Sequence, residues 1–220
     1  VGERIIDLIS TIAAVRRASQ RTLAVRAGLS LAQLSALTYL GDCNRFSDTP
    51  AAVAEYLNAT RGTTSQTLRT LEAKGLISRH GDANDGRLQH LHLTPAGRRI
   101  VRAAGGDEIA QAVATLQLEG GELTSLLENV LRTAQQARGG RTFGVCATCK
   151  HLEGAAGHRV CGLTREPLRD SETTRRGVEH DPLAATAVEQ VPGPDRAVRS
   201  RRPRLRVQRS FTPAERMAIE

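Results

Sequence analysis

The sequence predicts a mainly α fold with a small β-wing: a winged helix-turn-helix between long flanking helices, followed by an irregular Cys/His-rich C-terminal segment. Three observations carry this. Apolar residues recur at helical spacing before residue 41 and again after residue 95. Between them, two short helical stretches each open on a threonine able to cap, Thr49 and Thr60. Two short apolar runs then flank the turn-forming stretch 81–87.

Residues 3–18 place Ile5, Ile6, Leu8, Ile9, Ile12, Ala13 and Val15 on one broad helical face. Ser30 caps a second helix whose stripe runs Leu31, Leu34, Leu37 and Leu40 and ends near Gly41. Thr49 caps the third, with Pro50 at the first position, where a missing N–H costs nothing, and Asn58 ends it. Thr60 caps a fourth that runs to Lys74, and Gly75 supplies the left-handed stop. Leu76–Arg79 and Leu88–Leu93 read as short strands. Thr94-Pro95 opens a long fifth helix, and a sixth runs from about Glu119 to Ala137 with Leu123, Leu126, Leu127, Val130 and Leu131 apolar.

After Gly139 the helical periodicity gives way to glycine, cysteine and histidine, so three parts are expected: 1–138, 139–183 and 184–220. The last holds seven arginines between 196 and 209 with no acid among them, a composition that predicts disorder; Thr212–Glu215 could start one or two helical turns. The net charge of +8 is uneven: 16 Lys/Arg against 13 Asp/Glu in 1–138, and 15 against 10 in 139–220. Such a balance permits local basic patches without naming a partner. No apolar run approaches a membrane span and no leader-like stretch opens the sequence, so a cytoplasmic protein with no membrane partner is expected. No Gly-rich phosphate loop, acid pair or nucleophile motif is evident, which argues against an enzyme.

In a helix-turn-helix the second helix enters the major groove with its N-terminal residues toward the bases. Its exposed positions are Arg61, Thr63, Ser65, Gln66 and Arg69; the inward ones are Thr64, Leu68 and Leu71. Arginine bridges two acceptors of guanine and glutamine pairs with adenine, while Ser and Thr bond phosphates or either base. Thr60 and the free first-turn N–H groups suit a phosphate, and Arg87 at the wing tip suits a narrow minor groove. Asp82 and Asp85 are expected to shape the loop and orient Arg87 or Arg79. The competing reading is that these cations are a solvated face.

The run Leu57–Ile77, the Asp-x-x-Asp-x-Arg wing at 82–87 and Leu-x-Leu-Thr-Pro-Ala-Gly at 91–97 together resemble the multiple-antibiotic-resistance regulator (MarR) family over residues 1 to about 138. The resemblance implies that the first, fifth and sixth helices are dimerisation helices. It also implies a homodimer on double-stranded DNA at a pseudo-palindromic operator, typically a repressor relieved by a small-molecule or redox effector. Gly62 departs from the family, which often has proline there, and loosens the register of Arg61.

Cys146, Cys149 and Cys161 cluster, and a CxxC pair lets two thiolates share one tetrahedral ion. His158 completes Cys-x2-Cys-x8-His-x2-Cys; His180 is the competing fourth ligand, and His151 is near. The segment resembles a cysteine-rich tail on some MarR-like regulators, whose fourth cysteine aligns with Gly177 here. That departure leaves a Cys3His zinc site, an iron–sulfur cluster, or no metal at all. Zinc is favoured because closed Cys3His sites are typical of structural zinc. Residues 139–183 hold too few apolar side chains to fold unaided, and a structural metal contributes on the order of ten kcal/mol. Cys43, near the end of the second helix, reads as a buried inert thiol rather than an oxidant sensor. His80, His90 and His92 read as solvated wing histidines rather than a surface metal site.

Overall fold

The computed structural model describes residues 2–82, 85–117, 121–137 and 142–181; the arginine-rich stretch and the 212–215 turn expected near the C-terminal end lie outside them. The order is α1 (Gly2–Arg26), α2 (Leu31–Asp42), α3 (Pro50–Tyr56), α4 (Arg61–Ala73), β1 (Ile77–Gly81), β2 (Gln89–Leu93), α5 (Pro95–Ala104), α6 (Glu108–Thr115) and α7 (Glu122–Ala137). A smaller part follows: β3 (Thr142–Val145), a 3-10 turn (Cys146–Thr148), β4 (Leu152–Glu153), β5 (Arg159–Cys161), β6 (Pro167–Leu168), α8 (Asp170–Thr173) and β7 (Arg176–His180). Among the described residues no single helix is long and apolar enough to cross a membrane.

The caps explain the helix starts. Ser30 Oγ accepts from Gln33 N while the Gln33 side chain accepts from Ser30 N, closing a capping box. Thr49, Thr60 and Thr94 each accept from the backbone N–H three residues on. Gly75 (φ 65°) and Asn58 (φ 49°) take the left-handed conformation after α4 and α3. β1 and β2 form the antiparallel wing, with Ile77 opposite Leu93 and His80 opposite His90.

Three expectations shift. The first helix extends to Arg26 rather than ending near residue 18. The long fifth helix is two: it stops at Gly105-Gly106, where both glycines lower helix propensity, and Asp107 caps α6 by accepting from Ala110 N. The sixth expected helix begins at Glu122. A further surprise lies in the Cys/His-rich segment, which has regular structure: β3 pairs β7, and β4, β5 and β6 form a three-stranded antiparallel sheet. It belongs with the winged helix to one compact unit, residues 1–184.

The core joins α2, α3, α4 and the wing through buried Leu34, Leu37, Leu40, Val53, Leu68, Leu71, Ile77 and Leu91. Tyr39 is buried with its hydroxyl donating to Ser47 O at 2.8 Å, and its ring stacks on Tyr56 at 4.5 Å. Gly97 lets α5 start against the end of α4's turn, because a Cβ there would lie 2.2 Å from Leu76 O. Outside this core, α1 and α7 expose their apolar stripes; Ile6 is 66 % and Leu131 54 % accessible.

Candidate nucleic-acid interface and cysteine module

The helix pair α3–α4 is positioned by buried Ala52, Val53 and Ala54 on one side and Thr64, Leu68 and Leu71 on the other. That inward set leaves Thr60, Arg61, Thr63, Gln66 and Arg69 exposed, as the spacing predicts, while Ser65 is half-buried. Thr60 Oγ1 accepts from Thr63 N at 3.2 Å and lies 3.0 Å from Thr63 Oγ1, so both hydroxyls sit at the first turn of α4. A Cβ at Gly62 would meet nothing closer than 3.9 Å, so glycine there answers no steric demand.

Three cations on this side are uncommitted. Among the described residues, the guanidinium groups of Arg61, Arg69 and Arg87 make no ion pair or side-chain hydrogen bond. Arg79 differs: it is held by Glu72 at 3.0 Å, not by a wing aspartate. Asp82 and Asp85 do shape the loop, accepting from Asp85 N (2.8 Å) and Arg87 N (2.9 Å). Neither carboxylate reaches the Arg87 side chain.

The wing histidines are not all solvated. His90 is half-buried, with Nδ1 2.5 Å from Asp48 Oδ1 and Nε2 3.2 Å from Asp82 Oδ2. The Asp48 bond and charge, with Asp82 adding, hold the His90 pKa above its ordinary value against desolvation. Burial pushes Asp48 up, opposed by the His90 hydrogen bond and charge. His92 Nε2 lies 3.6 Å from Asp48 Oδ2, and the His80 and His92 rings stack at 4.6 Å. Alternation along β2 could not reveal this, because Asp48 comes from the α2–α3 loop.

That loop, residues 43–48, is what the sequence did not mark. On one side Asp48 O accepts from Leu91 N (2.8 Å), tying it to the wing. On the other it grips the cysteine-rich part: Asn44 N donates to Arg176 O (2.9 Å), and Val178 N donates to Ser47 Oγ (3.1 Å). Arg45 donates to Pro167 O (2.6 Å) and pairs with Glu166 and Glu172. Arg176 pairs with Asp42 at 3.1 Å and lies over the Tyr56 ring, which meets Phe143 edge-on. The loop then runs into the Thr49 cap of α3.

All four cysteines are free thiols. Cys43 is buried with its Sγ toward Leu40 O, and burial pushes its pKa up to about 12, which keeps it protonated and inert. Cys146, Cys149 and Cys161 line one small cavity of about 50 Å3, closed by Phe46, Leu168 and Gly177. Asn44 Nδ2 donates to Cys146 Sγ at 3.4 Å, while burial raises the Cys146 pKa. A Cβ at Gly177 would lie 2.9 Å from Asn44 Nδ2, so Asn44 fills the space a side chain there would need.

Of the candidate histidines, His151 and His180 line this cavity and His158 does not; His158 is exposed, in the turn ahead of β5. Gly144 makes room for the His180 ring, and His180 Nε2 lies 3.0 Å from Thr148 Oγ1. Among the described residues no three His, Cys, Asp or Glu side chains are arranged to hold a metal ion as they stand. The thiols therefore share a cavity of suitable donor chemistry, but ligation requires side-chain rotation.

Solved structures resemble the fold over part of the chain. A DNA complex of MepR from S. aureus is 25 % identical, covering 60 % of this chain and 95 % of that one, with a TM-score of 0.44. FabT from Streptococcus pneumoniae in complex with DNA is 25 % identical, covering 63 % and 98 %, with a TM-score of 0.47. A MarR-family transcriptional regulator from Silicibacter pomeroyi is 24 % identical, covering 59 % and 86 %, with a TM-score of 0.47. No curated protein matches the chain. The segment that carries α2 through the wing, residues 27–88, matches the family model of the MarR family.

Proposed function

We propose that the chain is a sequence-specific DNA-binding transcriptional regulator, a cytoplasmic homodimeric repressor on a pseudo-palindromic operator, with no enzymatic role. The observation that carries this is the capped helix α4: its inward face is buried, and Arg61 and Arg69 on the outer face, with Arg87 at the wing tip, have no side-chain partner among the described residues. The match of residues 27–88 to the MarR family model supports it. The dimer reading is supported by the exposed apolar stripes of α1 and α7, which water would otherwise solvate. Selection from random duplexes tests both. A palindrome with half-sites about 34 Å apart is expected, and a half-site mutation that leaves affinity unchanged would contradict the dimer.

For the cysteine module we propose structural zinc held by Cys146, Cys149 and Cys161, with His151 or His180 rotating to complete the site. The shared cavity supports this donor set. Zinc there would cross-link the 3-10 turn to β5 and so stiffen the surface that Asn44 and Ser47 dock against. Metal analysis after anaerobic purification should give about one zinc per chain; metal-free protein unaffected by Cys146→Ser would remove the idea. An iron–sulfur or thiol redox sensor is the alternative, favoured by the direct contact of Cys146 with the loop that leads into α3. Visible absorption that bleaches together with DNA affinity would select it.

A further inference from the structure

A cleft of about 650 Å3 opens between the winged helix and the cysteine module, and arginine dominates its walls. Arg45 comes from the α2–α3 loop, Arg98 and Arg102 from α5, and Arg169 and Arg175 from around α8. Among the described residues two carboxylates line it, and both are engaged: Asp48 by His90 and His92, Glu172 by Arg45. Arg98 donates to Leu93 O and Arg175 to Cys43 O, neutral acceptors that leave the charge uncompensated. Among the described residues the side chains of Arg102 and Arg169 have no hydrogen-bond or ion-pair partner. Four of the five guanidinium groups thus face one concavity with no carboxylate of the described residues within 4.0 Å.

These arginines are exposed, and cations gathered around one concavity set up a positive potential that attracts anions. The guanidinium fork matches carboxylate and phosphate in bidentate geometry. The volume falls in the range of small-molecule sites, about 300–1,000 Å3, and among the described residues none of α3 or α4 lines it. We propose that this cleft binds a small polyanion carrying two or more carboxylate or phosphate groups, bridging Arg98 and Arg102 on one wall to Arg169 and Arg175 on the other. Its floor includes Asn44, Arg45 and Asp48, so a bound anion touches the loop that enters α3 and anchors the wing. The site goes beyond the DNA-binding reading, and its occupancy is measured without DNA.

The test is isothermal titration of the full chain with citrate and, separately, inorganic pyrophosphate, on wild type and on Arg102→Gln, Arg169→Gln and Arg99→Gln. The side chains of Arg102 and Arg169 hold no partner among the described residues, so both variants should unfold at the wild-type temperature; Arg99 is an exposed arginine outside the cleft. Saturable one-site binding is expected, weakened about tenfold or more by either cleft variant and unchanged by Arg99→Gln. Binding of citrate alone assigns a carboxylate ligand, and of pyrophosphate alone a phosphate ligand. The proposal is overturned if neither probe saturates by roughly 10 mM, or if Arg99→Gln weakens binding as much as Arg102→Gln. It is also overturned if the cleft variants lower affinity only for random duplex DNA, which would make the cleft an extension of a phosphate-binding face.

Discussion

Thr64→Val tests whether the inward face of α4 is as the structure describes. Thr64 is 1 % accessible on α4, and its hydroxyl has no hydrogen-bond partner among the described residues. A buried hydroxyl without a partner costs about 1–3 kcal/mol relative to a satisfied one. Valine keeps the volume and the β-branch, so rotamer and helix propensities barely change. The substitution should stabilise the protein by about 1 kcal/mol, which for a chain of this size raises Tm by roughly 2–4 °C. Urea and thermal unfolding measure this, and DNA affinity should stay at the wild-type value because the side chain points inward. Destabilisation by 1 kcal/mol or more would mean that the hydroxyl is hydrogen-bonded, and the packing described for α4 would be wrong.

Three other outcomes follow from the same structure. Thr60→Ala removes the cap of α4 and should cost about 1 kcal/mol in unfolding experiments, with weaker DNA binding as the first turn frays. His90, facing Asp48 and Asp82 with His92 and His80 beside them, has a raised folded-state pKa, so its stabilisation is complete below the ordinary histidine range. That contribution is lost as pH rises through the raised value, and His90→Gln should flatten the unfolding profile across the histidine range; Asp48, raised by burial, acts with the same sign but from the ordinary carboxylate range upward to its own raised value. Arg45→Ala removes the link to Pro167 O, Glu166 and Glu172; a loss of about 1 kcal/mol would raise the undocked fraction about fivefold, read as faster tryptic cleavage after Lys150, Arg159 or Arg169.

The winged helix was legible because local rules specify it. Thr49-Pro50, Thr60 and Gly75 mark ends through bonds made within three or four residues, and Leu68 and Leu71 report burial through spacing. The division of the fifth helix was also written in Gly105-Gly106-Asp107, a stop followed by a cap, although apolar periodicity obscured it. Loop 43–48 was not legible. Asn44, Arg45, Ser47 and Asp48 form an ordinary polar stretch, and the partners that tie them to the wing and to the cysteine-rich part lie 42 to 132 residues away. The same distance hid the role of Gly177: in sequence it looks like a missing cysteine, whereas in the fold Asn44 takes up that space. His158 had the better spacing as a ligand, but the turn at Gly154–Gly157 carries it away from the cavity that His151 and His180 line.

The central claim is that α4 reads DNA, and the most direct measurement compares the affinity of wild type and Arg69→Ala for a selected duplex and for a scrambled one of equal length at fixed salt. Wild type should favour the selected duplex by about a thousandfold or more. Arg69→Ala should lose roughly ten- to a hundredfold on the selected duplex and much less on the scrambled one, the mark of a lost base contact. Equal affinity of wild type for both duplexes, or an Arg69→Ala loss that is the same on both, would contradict the account.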